Sequence, residues 1–236
     1  MTNKRKRGKH PNDDRLFGKK WPPIFKEALD DLCHLLSRGY GENSSVQLVG
    51  NRYRLNSRQQ KALSRMGDAE NLIQQRKLKK LKAEDLAKEA VVIDGFNLLI
   101  LLESALSDAF IFQGRDGNYK DLSGVHGSYK RVMNTEEAIV MVGDVLQELK
   151  VASVHWYFDT PVSNSGRLKG ILLEIAAKHG YPWEVTLDYN PDKVLAESTD
   201  IVVSSDGWIL DRTQRWFDLG RYLVDKHIKT VNLFVA

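Results

Sequence analysis

The stretch Val91-Val-Ile-Asp-Gly-Phe-Asn97 says most about the fold of this chain. Its three β-branched apolar residues are typical of a buried strand. The strand runs directly into Asp94 and Gly95, and the stretch ends at Asn97. Because ligands of open α/β sheets bind just beyond the carboxyl ends of the strands, we expect Asp94 to line a cleft. A carboxylate there is costly to bury alone, which favours a cation or a hydrogen-bond donor beside it.

The same pattern returns twice further along the chain. Residues 153–159 read Ser-Val-His-Trp-Tyr-Phe-Asp, and residues 201–206 read Ile-Val-Val-Ser-Ser-Asp. A single aspartate at a strand end is commonly a turn former or a helix cap. Three of them, Asp94, Asp159 and Asp206, at one edge of a parallel sheet favour a shared cation site. Ligands that are all oxygen atoms suit Mg²⁺ or Mn²⁺.

The composition indicates a globular protein. With 236 residues, 42% of them hydrophobic, the chain can build a full core in one large domain or two smaller ones. Cys33 is the single cysteine, which excludes an internal disulfide and favours a reducing compartment. The sequence has no secretory signal and no apolar run near the roughly 18 residues of a membrane span. We therefore expect a cytoplasmic protein without membrane contact, and a homo-oligomer stays open.

The charges are unevenly distributed along the chain. Residues 1–89 hold 21 Lys and Arg against 11 Asp and Glu, a net charge of +10. Residues 90–236 hold the other 14 Lys and Arg against 20 Asp and Glu, a net charge of −6. The first part is suited to a polyphosphate partner and the second to holding cations.

Residues 1–89 are predicted to form two parts. Residues 1–20 are polar and basic, which is typical of a flexible tail, and 21–89 form a basic helical module suited to nucleic acid. Arg52 and Arg54 alternate with apolar residues and so share one face of a predicted hairpin. The elements expected in the module are a helix over 24–38, a hairpin over 46–55 turning at Gly50-Asn51, a helix from a Ser57–Gln60 capping box to about Met66, and a polar helix over about 68–89.

Residues 90–236 alternate between strand and helix patterns. Such alternation predicts an α/β domain with a mostly parallel sheet and helices on both faces. The elements expected are a strand over 91–95, a helix over 97–107, a loop, a helix over 135–149, a strand over 153–158, a helix over 165–179, a strand over 183–187, a short helix over 191–198, a strand over 201–205, a helix over 211–227 and a strand over 230–235.

Three motifs carry a resemblance to a known superfamily. Asp-Gly-x-Asn after the first strand, Phe-Asp after the second and Ser-Ser-Asp after a later one resemble the PIN-like nucleases, especially their NYN branch, over about 90–236. The whole chain also resembles an uncharacterised prokaryotic family in which a short module containing Leu-Leu-Ser-Arg-Gly-Tyr, here 35–40, precedes such a domain. Membership of that family implies no established activity.

The superfamily resemblance implies a PIN-like, Rossmann-like fold and a metal-dependent endonuclease that acts on RNA. Asp94, Asp159 and Asp206 match its strand-end ligands for Mg²⁺ or Mn²⁺, and Asn97 matches the asparagine that commonly follows the first of them. A further ligand is expected just before the last of these strands. Asp192 is the candidate, and Asp200 is its rival.

Two loops are suited to holding the substrate. One enters the helix at 165–179, where free amides and an arginine in the first turn attract phosphate. The other, 124–131, lies near the mouth of the sheet and carries Tyr129, which could stack a base. The candidate substrate-binding residues are Asn97, His126, Ser128, Arg131, Ser163, Asn164, Ser165 and Arg167.

Two alternatives remain beside the nuclease. One is a nucleic-acid-binding protein that keeps the fold without cleaving. The other, a haloacid-dehalogenase-like phosphatase, is disfavoured because Phe96 stands where such enzymes need a second Asp. The sequence has no Gly-rich nucleotide loop and no Gly-x-Ser-x-Gly nucleophile motif.

Overall fold

The computed structural model describes residues 7–124 and 129–236. The first part of the chain is helical. Apolar residues at helical spacing on the second helix, among them Phe25, Leu29 and Leu32, are fully buried, which confirms the helix expected over 24–38. The helices are α1 (Asp13–Leu16), α2 (Trp21–Ser37), α3 (Glu42–Arg52), α4 (Ser57–Met66) and α5 (Glu70–Lys79), followed by a 3₁₀ turn at Ala83–Leu86.

A four-stranded parallel sheet forms the centre of the second part. Its strands are β1 (Ala90–Asp94), β4 (Ser153–Asp159), β5 (Trp183–Asp188) and β6 (Ile201–Val203), in the spatial order β5-β4-β1-β6. One face of the sheet packs against α6 (Gly95–Ala105), α7 (Thr135–Glu148), α8 (Ser165–His179) and α11 (Leu219–His227). The other face carries α9 (Pro191–Ala196) and α10 (Gly207–Arg212). The predicted α/β class, with helices on both faces of a parallel sheet, is confirmed.

A second, smaller sheet joins the two parts. It consists of β2 (Phe110–Gln113), β3 (Tyr119–Lys120) and β7 (Asn232–Phe234), with β2 in the middle. Phe112 and Phe234 from this sheet pack against Phe17 and Phe25 in one apolar cluster. The helical module therefore builds its core together with strands from the rest of the chain.

Part of the expected tail belongs to this fold. Leu16 and Phe17 are buried, and Asp13 is fully buried and bonded to Arg58. Residues 13–17 are therefore folded against the rest of the protein, and the expectation of a flexible tail is wrong for these residues. Lys4 and its neighbours up to residue 6 lie outside the described residues.

The hairpin predicted over 46–55 is wrong, because residues 46–52 lie in α3, which ends at Arg52. Gly50 is not a turn residue but a point of close helix packing. A Cβ atom at Gly50 would lie 2.6 Å from the side chain of Gln60 on α4. The capping box of α4 is also shifted by one residue, since Asn56 and Gln59 form it.

Two predicted helices are broken by Trp216. The helix expected over 211–227 is two helices, because residues 213–218 between them run beside β6, where Trp216 bridges Val202. The helix expected over 68–89 ends at Lys79, because the amide of Leu81 donates to the carbonyl of Trp216. Tertiary hydrogen bonds override the local helical pattern in both places. In the described part of the chain, no helix has the length and apolar character needed to cross a membrane.

Candidate active site

The strand order places a topological switch beside β1. The chain proceeds from β1 to β4 and β5 on one side, and then returns to β6 on the other side of β1. The carboxyl ends of β1 and β6 are therefore adjacent, and the connections that leave them diverge. Ligands of open α/β sheets bind in the crevice at such a point. Asp94 and the stretch 204–206 lie there.

Hydrogen bonds join the ends of these two strands. The hydroxyl of Ser204 donates to Asp94 Oδ2 at 2.8 Å. Asn97 Oδ1 accepts from both the amide and the hydroxyl of Ser205, each at 2.9 Å. The oxygen of Asn97 is thus engaged within the protein, so a predicted contact between Asn97 and a substrate would have to use its amide nitrogen.

Asp206 caps α10 at the same edge. Its Oδ1 accepts from the amide of Trp208 at 2.8 Å, and its own amide donates to Ser204 Oγ at 3.0 Å. Ser204 therefore links Asp94 and Asp206 through one hydroxyl group. The second carboxylate oxygen of Asp206 has no hydrogen bond to the described residues and borders a cleft of about 490 Å³.

The structure also brings Asp192 and Asp159 to this place. Asp192 lies in the first turn of α9, and its charge raises the pKa of Asp94. The pKa of Asp192 is itself raised, by burial first and then by the charges of Asp206 and Asp159. The negative charge of Asp200 instead favours the protonated forms of His155 and Tyr157 on β4. Of the two rivals, Asp192 is the one that joins the other carboxylates.

The electrostatics of the cluster centre on Asp94. Burial, first, and then the charges of Asp192 and Asp206 together raise its pKa to about 7, against the hydrogen bond from Ser204, which lowers it. Within residues 7–124 and 129–236, no group of three or more His, Cys, Asp or Glu side chains is arranged to hold a metal ion. The donors are nevertheless all carboxylate oxygens that repel one another, a set that chemically fits a hard divalent cation.

The loop before α8 differs in detail from its prediction. Asn164 is the residue before the helix, in the left-handed region at φ +71°, and its amide donates to the carbonyl of Tyr129 at 3.0 Å. Ser165 is buried, so it is not available for contact with a substrate. Ser163 and Arg167 are exposed, as a substrate-binding role requires.

The loop before α7 is only partly described, since His126 and Ser128 lie outside the described residues. Tyr129 is buried, and its hydroxyl bonds to Glu103, so the expectation that it stacks a base is wrong. Arg131 is exposed and pairs with Glu136, yet it shares a pocket of about 250 Å³ with Arg167.

Ser204 and Ser205 are site residues that the sequence reasoning passed over. Both belong to the Ser-Ser-Asp motif, of which only the aspartate was assigned a role. Strand alternation gives a usable signal, because Ser204 follows Val202 by two residues and Asp94 follows Val92 by two. Val202 and Val92 pack in one cluster on the face that carries α9 and α10, so the polar residues beyond them share that face.

Comparison with known proteins adds family membership. Residues 83–222 match the family described as Domain of unknown function (DUF5616), and residues 24–79 match Protein of unknown function (DUF434). The uncharacterized protein MJ0935 of Methanocaldococcus jannaschii is 32% identical over 188 residues, which cover 79% of this chain and 88% of that protein. No solved structure matches the chain. The resemblance to PIN-like nucleases stays a prediction, whereas the match over 83–222 shows that the chain belongs to the DUF5616 family.

Proposed function

We propose that this protein is a metal-dependent nuclease that hydrolyses phosphodiester bonds, with RNA rather than DNA as its substrate. The observation that carries the proposal is the electrostatic coupling of Asp94, Asp192 and Asp206 at the switch point of a parallel sheet. If these aspartates only capped the helices that follow them, they would not have to lie close enough to shift one another's pKa values. The acidic charge of residues 90–236 and the basic charge of residues 1–89 further support a cation site beside a polyanion site.

Each carboxylate has a separate role in this proposal. Asp94 and Asp206 hold Mg²⁺ or Mn²⁺ directly, and Asp159 and Asp192 complete the set. A divalent cation, when bound, activates a water molecule and neutralises negative charge on the phosphate. Ser204 keeps the Asp94 carboxylate oriented through its 2.8 Å hydrogen bond and so acts as a positioning residue.

The proposal is tested with Asp94→Asn and Asp206→Asn. Labelled single-stranded RNA and DNA are incubated with each variant in Mg²⁺, in Mn²⁺ and in EDTA, and the products are separated by electrophoresis. We expect metal-stimulated cleavage by the parent protein and none above background by either variant. Asp200→Asn is the matched control, because Asp200 lies apart from the cluster, and it should cleave like the parent. Equal cleavage by Asp94→Asn and the parent would refute the proposal.

A second function is favoured by the charge of the first part of the chain. Residues 1–89 carry a net charge of +10, which also suits a protein that binds nucleic acid without cleaving it. In that case the parent would bind RNA with a strong dependence on salt and give no product in Mg²⁺, Mn²⁺, Co²⁺ or Ni²⁺. Cleavage in any one of these metals, lost in Asp94→Asn, would decide in favour of the nuclease.

A further inference from the structure

Helix α4 carries three cationic side chains along one face. Arg58, Lys61 and Arg65 follow each other at intervals of three and four residues, which places them on one side of the helix. This basic stripe of α4 lies against the segment 120–123, where Lys61 Nζ donates to the carbonyl of Leu122 at 2.9 Å. From Arg58 to Arg65 the helix rises by about 10 Å. The stripe can therefore meet more than one phosphate group of an extended strand.

Buried carboxylates hold two arginines at one end of the stripe. Arg58 makes a bidentate pair with Asp13, at 2.6 and 2.8 Å, and Asp13 is fully buried. Arg7 pairs with Glu103, which is also fully buried, and its guanidinium lies 5.0 Å from the ring centre of Tyr129. Because the acids lie beneath and the guanidinium groups lie nearer the surface, both arginines are fixed in position.

Arg7 and Arg58 line a groove of about 610 Å³. The titratable residues of its wall are Arg7, Lys9, His10, Arg58, Lys61 and Lys130, and none of the described residues lining it is an Asp or Glu. Lys9 and Lys130 are exposed and form no ion pair with any described residue. Burial and the nearby Arg65 lower the pKa of Lys61, as expected where cations are crowded together. A groove of this kind favours a polyanion.

The stripe leads from this groove to the acidic cluster. Arg65, at its far end, lines the cleft of about 490 Å³ that Asp206 borders. The charge of Arg65 also acts on the buried Asp121 and lowers the pKa of that carboxyl against the effect of burial. Trp208 lies in the same cleft with 46% of its surface exposed. The guanidinium of Arg212 lies over one face of the indole, 4.1 Å from the ring centre, so a base would stack on the other face.

We infer that the groove and the basic stripe of α4 bind the phosphodiester backbone of a single nucleic acid strand and lead it past Arg65 to Asp206. This inference rests on the proposed function for the fate of the strand, but not for its binding. The helical module supplies Arg58, Lys61 and Arg65, so substrate recognition requires both parts of the chain. The basic stripe of α4 takes the place of the basic face that the sequence predicted at Arg52 and Arg54. In the structure, Arg52 is instead paired with Asp31.

The inference is tested by binding without cleavage. A fluorescein-labelled single-stranded RNA of 20 nucleotides is titrated with protein in EDTA, and its anisotropy is followed at several salt concentrations. The titration is repeated with DNA of the same sequence, because RNA and DNA share the phosphodiester backbone and the comparison shows which of them is bound more tightly. The test variant is Lys61→Gln/Lys130→Gln, because neither lysine forms an ion pair with a described residue, although the charge of the buried Asp121 acts on Lys61. Urea unfolding of the variant confirms that it folds like the parent.

The matched control is Lys178→Gln/Lys229→Gln, which removes two exposed charges elsewhere. Lys178 lies in the last turn of α8, at the opposite end of that helix from the candidate site. We expect the test variant to bind at least about ten times more weakly than the parent, and its salt slope to fall by about two because two phosphate contacts are lost. The control should bind within about twofold of the parent. Trp208→Ala should weaken binding, and Trp208→Phe should restore most of it.

The outcomes separate this inference from the nuclease proposal. If the test variant binds like the parent, or the control weakens binding equally, the inference is overturned even when the parent cleaves RNA. Failure of the parent to bind either strand in EDTA also overturns it. If the test variant binds weakly and the parent never cleaves, the surface stands and the nuclease proposal fails.

Discussion

The carboxylate of Asp94 is subject to opposing influences at the end of β1. Burial and the charges of Asp192 and Asp206 favour its protonated form, whereas the hydroxyl of Ser204 and the amide of Asn97 favour its ionised form. Burial and the two neighbouring charges outweigh the hydrogen bonds, and the pKa of Asp94 is raised to about 7. The folded protein therefore holds a proton on Asp94 over a pH range in which the unfolded chain has released it.

The stability of the metal-free protein should depend on this proton. Between about pH 4 and pH 7 the unfolded state loses the proton first, so stability falls as pH rises, and it levels off above the folded-state pKa. Asp94→Asn removes this loss and should be more stable than the parent by about 1–2 kcal/mol at pH 8, allowing for solvent at a half-buried site. At pH 4 the difference should shrink.

The measurement is urea unfolding of both proteins in EDTA at the two pH values. The raised pKa of Asp94 would be contradicted if the variant were less stable than the parent at pH 8. It would also be contradicted if the difference in unfolding free energy between the two proteins were the same at pH 4 and pH 8.

Asp94, Asp159 and Asp206 were accessible from the sequence, because a strand-end position fixes where a side chain lies with little help from the rest of the fold. The choice of Asp192 over Asp200 was not. It depends on which way the chain turns between α9 and β6, and no local pattern encodes that. The buried position of Tyr129 was equally hidden, since its partner Glu103 is 26 residues away.

At the scale of elements, α6 begins in a place with no room for a side chain. A Cβ atom at Gly95 would lie 2.2 Å from the ring of Phe158 on β4. The glycine therefore lets the first turn of α6, which directly follows Asp94, lie closely against β4.

Gly95→Ala should destabilise the protein by about 1–3 kcal/mol, because the added methyl group must displace Phe158 in a packed core. Gly170→Ala is the matched control, since Gly170 lies within α8 with nothing within 4 Å of its Cβ position. It should stabilise the protein by about 0.5–1 kcal/mol through helix propensity. Urea unfolding measures both, and changes of the same sign in the two variants would contradict the packing assigned to Gly95.

Elements with strong local patterns were predictable, and those defined by distant partners were not. β1, β4 and β6 were recognised from their apolar runs. Gly50 in α3 was interpreted as a turn residue. A glycine is needed there because the side chain of Gln60, on another helix, lies too close for a Cβ atom. The break between α10 and α11 depends on Trp216, whose indole donates to the carbonyl of Arg76, 140 residues away.

At the scale of the whole molecule, Arg76 ties the helical module to the candidate site. Its buried guanidinium pairs with Asp68, Asp116 and Asp211, which come from three separate regions of the chain. It also passes beside Gly207, where a Cβ atom would lie 2.7 Å from Arg76 Nη2. The module thus supports the turn that carries Asp206.

Arg76→Met should cost about 3–5 kcal/mol, because it leaves carboxylates buried without their counter-charge. Arg52→Met is the matched control, since the Arg52–Asp31 pair is exposed, and it should change stability by about 0.5 kcal/mol or less. Thermal unfolding compares the two. Similar melting temperatures for both variants would show that the network around Arg76 carries no net stability.

The pairing of β7 with β2 has a consequence for how the protein is made. Phe234 completes the aromatic cluster around Phe17 and Phe25. The first helices can therefore complete their packing only after residue 234 has been synthesised. During translation the apolar faces of those helices stay exposed to solvent. More than two hundred residues separate Phe17 and Phe25 from Phe234, whose strand covers these faces in the folded protein.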